Sequence, residues 1–190
     1  LLVQGDTTTV MATALLSYYH QVRVGHVEAG LRTNDKYAPF PEEVNRRIAG
    51  TVADLHFAPT DWARDNLLRE GTDPDSVFVT GNPVVDALLT VADRPYDPSS
   101  GPLAEIRWDR RILLVTAHRR ENLRGPLEQI CKGLLEIADR YTNEVEIIYP
   151  VHMNPDVQRC AKTMLSGNPN IRLLPPLEYL PMAYLMKRSY

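Results

Sequence analysis

Short apolar runs alternate along this chain with longer stretches in which apolar residues return every three or four positions. Runs of the first kind at 1–3, 22–27, 55–58 and 77–80 predict strands, and stretches of the second kind at 7–20, 42–52, 60–69 and 83–91 predict helices. Helix ends carry their own chemistry. Thr60 is placed as an N-cap, Gly71 as a C-terminal stop, Pro83 as a first helical residue, and Glu42 and Glu43 as first-turn acids. The stretch "ADRPYDPSSGP", from Ala92 to Pro102, has no apolar period and is rich in Pro, Asp and Ser, so a linker is expected, assigned to 96–105. Beyond it the alternation resumes, with strands expected at 112–115, 145–149 and 171–174 and helices at 127–141, 155–165 and 178–187. Alternation on both sides of the linker predicts an α/β protein with two parallel-sheet, Rossmann-like domains, at 1–95 and 106–190. Each has few strands for a complete doubly wound domain, and the opening run is strand-like and lacks Met; an internal fragment of a longer protein is the expectation.

Composition narrows the class without naming a function. The 190 residues are 44% hydrophobic and 24% charged, an ordinary globular mixture. The net charge of -3 lacks the basic excess of a nucleic-acid binder, and no apolar run approaches the roughly 20 residues of a membrane span. A cytoplasmic protein with neither nucleic acid nor membrane as partner is expected. Cys131 and Cys160 fall in helix-like patterns without a CxxC pair, and read as helix-face or core thiols of a reducing compartment.

Ligands of open α/β sheets bind beyond the carboxyl ends of the strands, and here those ends carry reactive groups. In "VQGDTTT", Gly5 permits a tight turn and Asp6 follows it, either as a helix cap or as a site carboxylate. In "GHVEAGLRTN", Glu28 is either the ion-pair partner of Arg32 or a second site carboxylate, with Gly25 and Gly30 as permissive backbone around a ligand-facing turn. Two carboxylates at the ends of neighbouring strands would face one crevice, where they can divide into an acid and a base. In "YAPFPEEVNRR", an aromatic loop at 37–40 precedes Glu42 and Glu43, whose presence helix capping alone would explain. In "LLVTAHRREN", His118 and Arg119 follow an apolar strand directly, a pattern suited to holding phosphate and to titrating near neutrality. In "IIYPVHMNP", His152 extends that polar rim, while Asn154-Pro155 also reads as a plain helix start. The sequence has no GxGxxG, GxxxxGK[ST] or GxSxG and no zinc-like Cys/His spacing, so the classical dinucleotide fingerprint is missing and neither a metal centre nor a nucleophilic serine is expected.

Taken in order, "QGDTTT", "HVEAGLRT", "PFPEEVNRR", "TGNPVVDAL", "TAHRREN" and "YPVHMNP" resemble the non-hydrolysing UDP-N-acetylglucosamine 2-epimerases of bacteria and archaea over essentially the whole chain. The resemblance implies a fold of the GT-B type, a homodimer, and interconversion of UDP-GlcNAc and UDP-ManNAc without metal or NAD. The route it implies is loss of UDP to a 2-acetamidoglucal and re-addition after the proton returns to the other face of C2. Asp6, Glu28 and Glu42 match the family's functional acids, with Glu42 preferred to Glu43 on its spacing from Glu28, and His118 matches its functional histidine. Asp6, Glu28, His118, Arg119 and His152 are implied substrate contacts, the last two on nucleotide phosphate either at the active site or at a neighbouring regulatory UDP-GlcNAc site. In the segment matching "PPLEYLPM" some members carry a polar residue and an aromatic near uracil; here Leu177 and Met182 stand there, which implies that backbone contacts are kept and ring stacking is not. The family's amino-terminal basic segment and its later nucleotide-holding region have no counterpart here. Three other readings stay open: a hydrolysing relative, a GT-B glycosyltransferase, and a fragment that binds nucleotide without catalysis.

Overall fold

The computed structural model describes residues 1–117 and 125–190. The chain folds into two compact units, Leu1–Val85 and Asp86–Tyr190.

Unit 1 runs β1 (Leu2–Gln4), α1 (Thr8–Tyr19), β2 (Gly25–Val27), α2 (Glu42–Val52), β3 (Leu55–Ala58), α3 (Asp61–Arg69), β4 (Val77–Val79) and the start of α4 (Pro83–Ala92). Its four strands are all parallel and lie in chain order, β1-β2-β3-β4. A helical crossover separates β1, β2 and β3 from one another, as parallel pairing requires. The register places Val3, His26, His56 and Val77 in one row, and strand alternation gives them a common face. Val3 packs there with Ala14 of α1 and Ala49 of α2. The intervening residues Leu2, Leu55 and Phe78 belong to the opposite face and are 70%, 43% and 46% exposed.

Strand β2 is shorter than the expected 22–27 and begins at Gly25. The reason is a side chain. Asp54 accepts the Val24 N–H at 2.7 Å, and its own N–H and that of Leu55 return to the Val24 carbonyl, so the approach to β2 is tied by a carboxylate before the ladder begins. Helix starts follow the sequence signals. Thr7 caps α1 by accepting Val10 N–H, and Thr60 caps α3 by accepting Ala63 N–H.

Unit 2 holds β5 (Arg111–Leu114), α5 (Pro126–Arg140), β6 (Val145–Pro150), α6 (Pro155–Leu165), β7 (Ile171–Leu174) and α7 (Tyr179–Arg188). Its parallel sheet has the order β5-β6-β7. The central strand β6 is buried from Val145 to Tyr149, the expected state for a parallel strand covered on both faces. Val145, Ile147 and Tyr149 meet the apolar stripes of α5 (Leu127, Cys131, Leu134, Ala138) and α6. Ile148 meets Leu185 of α7 with Leu103 and Ile106 on the other side. Each such buried aliphatic contributes roughly 1.5–3 kcal/mol. Glu146, also on that second face and 1% exposed, accepts from Arg107 and Arg172, which ties the segment before β5 to β6 and β7. Cys131 and Cys160 are free thiols on α5 and α6, and burial pushes the Cys131 thiol up to about 12. Among the described residues no helix is long and apolar enough to cross a membrane.

Candidate active site

The carboxyl ends of β1 and β2 lie side by side, with Gln4 paired to Val27 and the Gly5 N–H donating to the Val27 carbonyl at 3.1 Å. Asp6 and Glu28 are the residues that follow. Asp6 is not the helix cap, since Thr7 fills that position. Its carboxylate instead pairs with the Arg46 guanidinium, and its carbonyl accepts the Asn45 amide at 2.9 Å. Two successive residues of α2 therefore hold Asp6 by its side chain and by its backbone.

Glu28 does not pair with Arg32, the partner its sequence neighbourhood offers. Arg32 is 6% exposed and gives its Nε and Nη2 to Glu70, at 2.8 and 2.7 Å. Glu28 takes a left-handed backbone, φ +67°, rare outside Gly, Asn and Asp and common where a site dictates side-chain direction. Its Oε1 accepts the Asn82 amide at 3.0 Å, and a Cβ added to Gly5 would meet its Oε2 at 3.4 Å. Gly30 serves packing, not a ligand. At φ +86° a Cβ there would stand 2.1 Å from the Ala63 carbonyl oxygen of α3, so only glycine lets the turn approach that helix. Gly25 opens β2 under the Leu2 and Phe57 side chains.

The two glutamates that open α2 have separate fates. Glu43 is fully buried and accepts from Thr33 N–H at 3.0 Å, Asn34 N–H at 3.2 Å and Arg47 Nε at 3.0 Å. Burial pushes its carboxyl up, but those hydrogen bonds outweigh burial and hold it below the usual glutamate range. Glu42 is half-buried, and no side-chain bond to it is made among the described residues. Arg46 bridges Asp6 and Glu43, Arg47 bridges Glu43 and Glu70, and Glu70 meets Arg32, so alternating charges run unbroken from the site to the turn after β2. Arg32 leads the causes that hold the Glu70 carboxyl below its ordinary value.

Beneath this row lies His26, whose ring Nε2 sits 2.8 Å from the Gly5 carbonyl oxygen. A carbonyl only accepts, so Nε2 carries the proton and Nδ1, buried and unpartnered, does not. Burial holds His26 below the ordinary histidine value, and burial is the leading cause that does the same for His56 beside it.

In unit 2 the Tyr149 hydroxyl donates to the Ala117 carbonyl at 2.6 Å and fixes the end of the segment that leads to His118 and Arg119, which lie outside the described residues. Burial pushes the Tyr149 phenol up to about 12. His152 follows β6 on an exposed turn, its Nδ1 accepting the Asn154 N–H at 3.1 Å, while Asn154 caps α6 through Asp156 N–H. Leu177 packs against the Ile148–Leu185 cluster just after β7, and Met182 is half-buried in α7. Asp6, Glu28 and Glu42 thus stand on one unit and His152, Leu177 and Met182 on the other. No group of three or more His, Cys, Asp or Glu among the described residues is arranged to hold a metal. Arg46, Asn45 and Asn82 escaped sequence reasoning although they lie inside "PFPEEVNRR" and "TGNPVVDAL". A contact signal for Arg46 was present only locally, in its spacing from Glu43.

The family model for UDP-N-acetylglucosamine 2-epimerase matches residues 1–190. A UDP-N-acetylglucosamine 2-epimerase of Yersinia pestis is 47% identical over 196 residues, covering 100% of this chain and 52% of the relative. The crystal structure of UDP-GlcNAc 2-epimerase from Neisseria meningitidis bound to UDP-GlcNAc is similar with a TM-score of 0.93 and 40% identity, over 100% of this chain and 52% of that one. The Methanocaldococcus jannaschii UDP-GlcNAc 2-epimerase in complex with UDP-GlcNAc and UDP is similar with a TM-score of 0.78 and 35% identity, over 99% of this chain and 52% of that one. The chain spans about half the length of the curated relatives it matches. The α/β class with Rossmann-like parallel sheets of the GT-B type, expected from the sequence, is the class found.

Proposed function

This chain belongs to the UDP-N-acetylglucosamine 2-epimerase family, and from that premise we propose that the whole protein interconverts UDP-GlcNAc and UDP-ManNAc. The observation that supports the reading is the pairing of β1 with β2, whose adjoining carboxyl ends lead into Asp6 and Glu28, with α2, the helix that Glu42 opens, bonded to Asp6 through Asn45 and Arg46. In the forward step a base takes the C2 proton, the C1–O bond breaks with its electrons passing to the departing UDP, and a C1–C2 double bond forms. In the return step a proton is delivered to the opposite face of C2 and UDP oxygen re-attacks C1. Proton traffic on two faces calls for more than one acid/base group, and Glu28, Glu42 and His118 are assigned to it. Asp6, its charge compensated by Arg46, is assigned to the sugar ring and to charge developing near C1. His118, Arg119 and His152 are assigned to the diphosphate, where fixed donors and cations stabilise the leaving group. Leu177 and Met182 are assigned to the surroundings of the base.

The same reading takes 1–95 as the later part of an amino-terminal domain and 106–190 as the earlier part of a nucleotide-binding domain, joined by 96–105. It also includes a cytoplasmic homodimer with no nucleic-acid partner, for which the acidic charge and the family resemblance are the support.

The test is incubation of the full-length protein with UDP-GlcNAc in D2O, followed by NMR at C2. Deuterium at C2 together with UDP-ManNAc is the expected result. Free ManNAc would identify a hydrolysing enzyme, and absence of both exchange and product would remove the epimerase reading. Glu28→Gln and His118→Ala should each lower kcat by roughly 100-fold, the usual loss for a general acid or base; near wild-type turnover in either would strike that residue from the mechanism.

A further inference from the structure

We propose that Asn82 is a positioning residue for Glu28, a role that rests on the epimerase reading above. Asn82 stands in the loop between β4 and α4, 54 residues from Glu28, and both ends of its amide are occupied. Its Oδ1 accepts the Val84 N–H at 3.1 Å, and its Nδ2 donates to Glu28 Oε1 at 3.0 Å. The first bond determines the second. A backbone N–H can only donate, so the amide oxygen must face the helix and the amide hydrogens must face the carboxylate.

The two site carboxylates are therefore held by different chemistry. Asp6 is gripped by a guanidinium, which offsets its charge. Glu28 is gripped by a neutral donor, which orients the carboxylate without cancelling its charge. The cation nearest in sequence, Arg32, is diverted to Glu70. One oxygen of Glu28 is thus fixed toward Asn82, and the other lies on the side of Gly5. The Asn82 amide, 54 residues away in sequence, restrains the Glu28 carboxylate that the turn after β2 presents. For a group that exchanges a proton with one face of a sugar carbon, a displacement of about 1 Å can cost on the order of 100-fold in rate.

Asn82→Asp in the full-length protein separates this role from helix capping. Aspartate caps a helix as well as asparagine, so the bond to Val84 is kept. The donor to Glu28 is lost and a like charge is set against it. The expected result is a fall in kcat, and in solvent-deuterium incorporation at C2, of about 10- to 100-fold. The KM for UDP-GlcNAc should change less than about three-fold, since the cap on α4 survives, and the thermal midpoint should fall by no more than about 5 °C, the cost of one close like-charge pair. Wild-type kcat in a folded Asn82→Asp protein, or a rise in KM alone, would overturn the proposal. If that variant does not fold, Asn82→Ser decides: serine keeps a cap but is too short to reach Glu28, so lowered kcat with an unchanged midpoint supports the role and wild-type kcat refutes it. A wild-type protein without turnover would sink the epimerase reading and this role with it, whereas an active wild type beside an equally active variant sinks this role alone.

Discussion

Neighbouring residues of one type can be assigned opposite work by what surrounds them. Glu42 and Glu43 are indistinguishable by composition, and both suit the first turn of a helix. Glu43 is buried and fully engaged by Thr33, Asn34 and Arg47, whereas Glu42 is half-buried and takes no such bonds among the described residues. Glu43→Gln should therefore lower the unfolding free energy by on the order of 3 kcal/mol, because it strips charge from a buried network and leaves guanidinium groups under-paired. Glu42→Gln should leave the unfolding free energy within about 0.5 kcal/mol, the usual range for a surface change, and lower kcat by roughly 100-fold. Measuring unfolding and turnover on both variants tests the division. A stable, slow Glu43→Gln protein beside a fast Glu42→Gln protein would reverse the assignment.

At the scale of elements, most of the architecture is legible because it rests on local rules. Period gave the strands and helices, and Thr7 and Thr60 sit where capping chemistry puts them. What was illegible is what depends on residues far apart in sequence. The β2 start is set by Asp54, Arg32 is claimed by Glu70 at a separation of 38, and Glu28 is claimed by Asn82 at a separation of 54. The sequence offers Glu28 its neighbour Arg32, and only the packing of α3 behind the turn shows why that pair does not form. The β2–β3 register also brings together two buried histidines, His26 and His56, that no motif marks as a pair. Both are held below the ordinary value of 6.5, chiefly by burial, with Arg32 adding to the effect on each. The hydrogen bond to Gly5, then Asp6 and Glu28, oppose it at His26, and the backbone hydrogen bond to Ala53, then Asp54, oppose it at His56. The unfolded chain binds these protons at a higher pH than the folded one does, so stability rises with pH and is lost as pH falls below about 6.5. The slope is about 1.4 kcal/mol per pH unit for each histidine that stays neutral in the fold. His26→Gln retains an amide donor for the Gly5 carbonyl but cannot titrate. Its urea-unfolding free energy should fall less steeply between pH 6.5 and 5.5, by about 1 kcal/mol over that interval. An unchanged slope would show that His26 takes up its proton without unfolding.

For the whole molecule, the two sheets differ in a way that bears on how the protein is made. The β5-β6-β7 sheet is covered on both faces, by α5 and α6 on one and by α7 with Leu103 and Ile106 on the other. Among the described residues the β1-β2-β3-β4 sheet is covered on one. Its other face carries Leu2, Leu55 and Phe78 in the open, with Phe57 stacked on Phe78 at 6.0 Å between ring centres. Parallel sheets are found almost only with both faces buried, and exposed apolar surface of this kind invites association. The chain spans about half the length of the relatives it matches, and a chain of their full length has the residues to supply the second layer. The 190-residue chain produced alone should therefore bind an environment-sensitive apolar dye strongly and self-associate as its concentration rises, while a chain of the relatives' length should do neither. Leu55→Lys together with Phe78→Lys, placed on the open face, should suppress both behaviours in the short chain, and should destabilise the long one by several kcal/mol, because there the same positions would be buried without partners. Equal tolerance of the two lysines in both chains would mean that this face stays in water, and that the sheet of unit 1 works with one side bare.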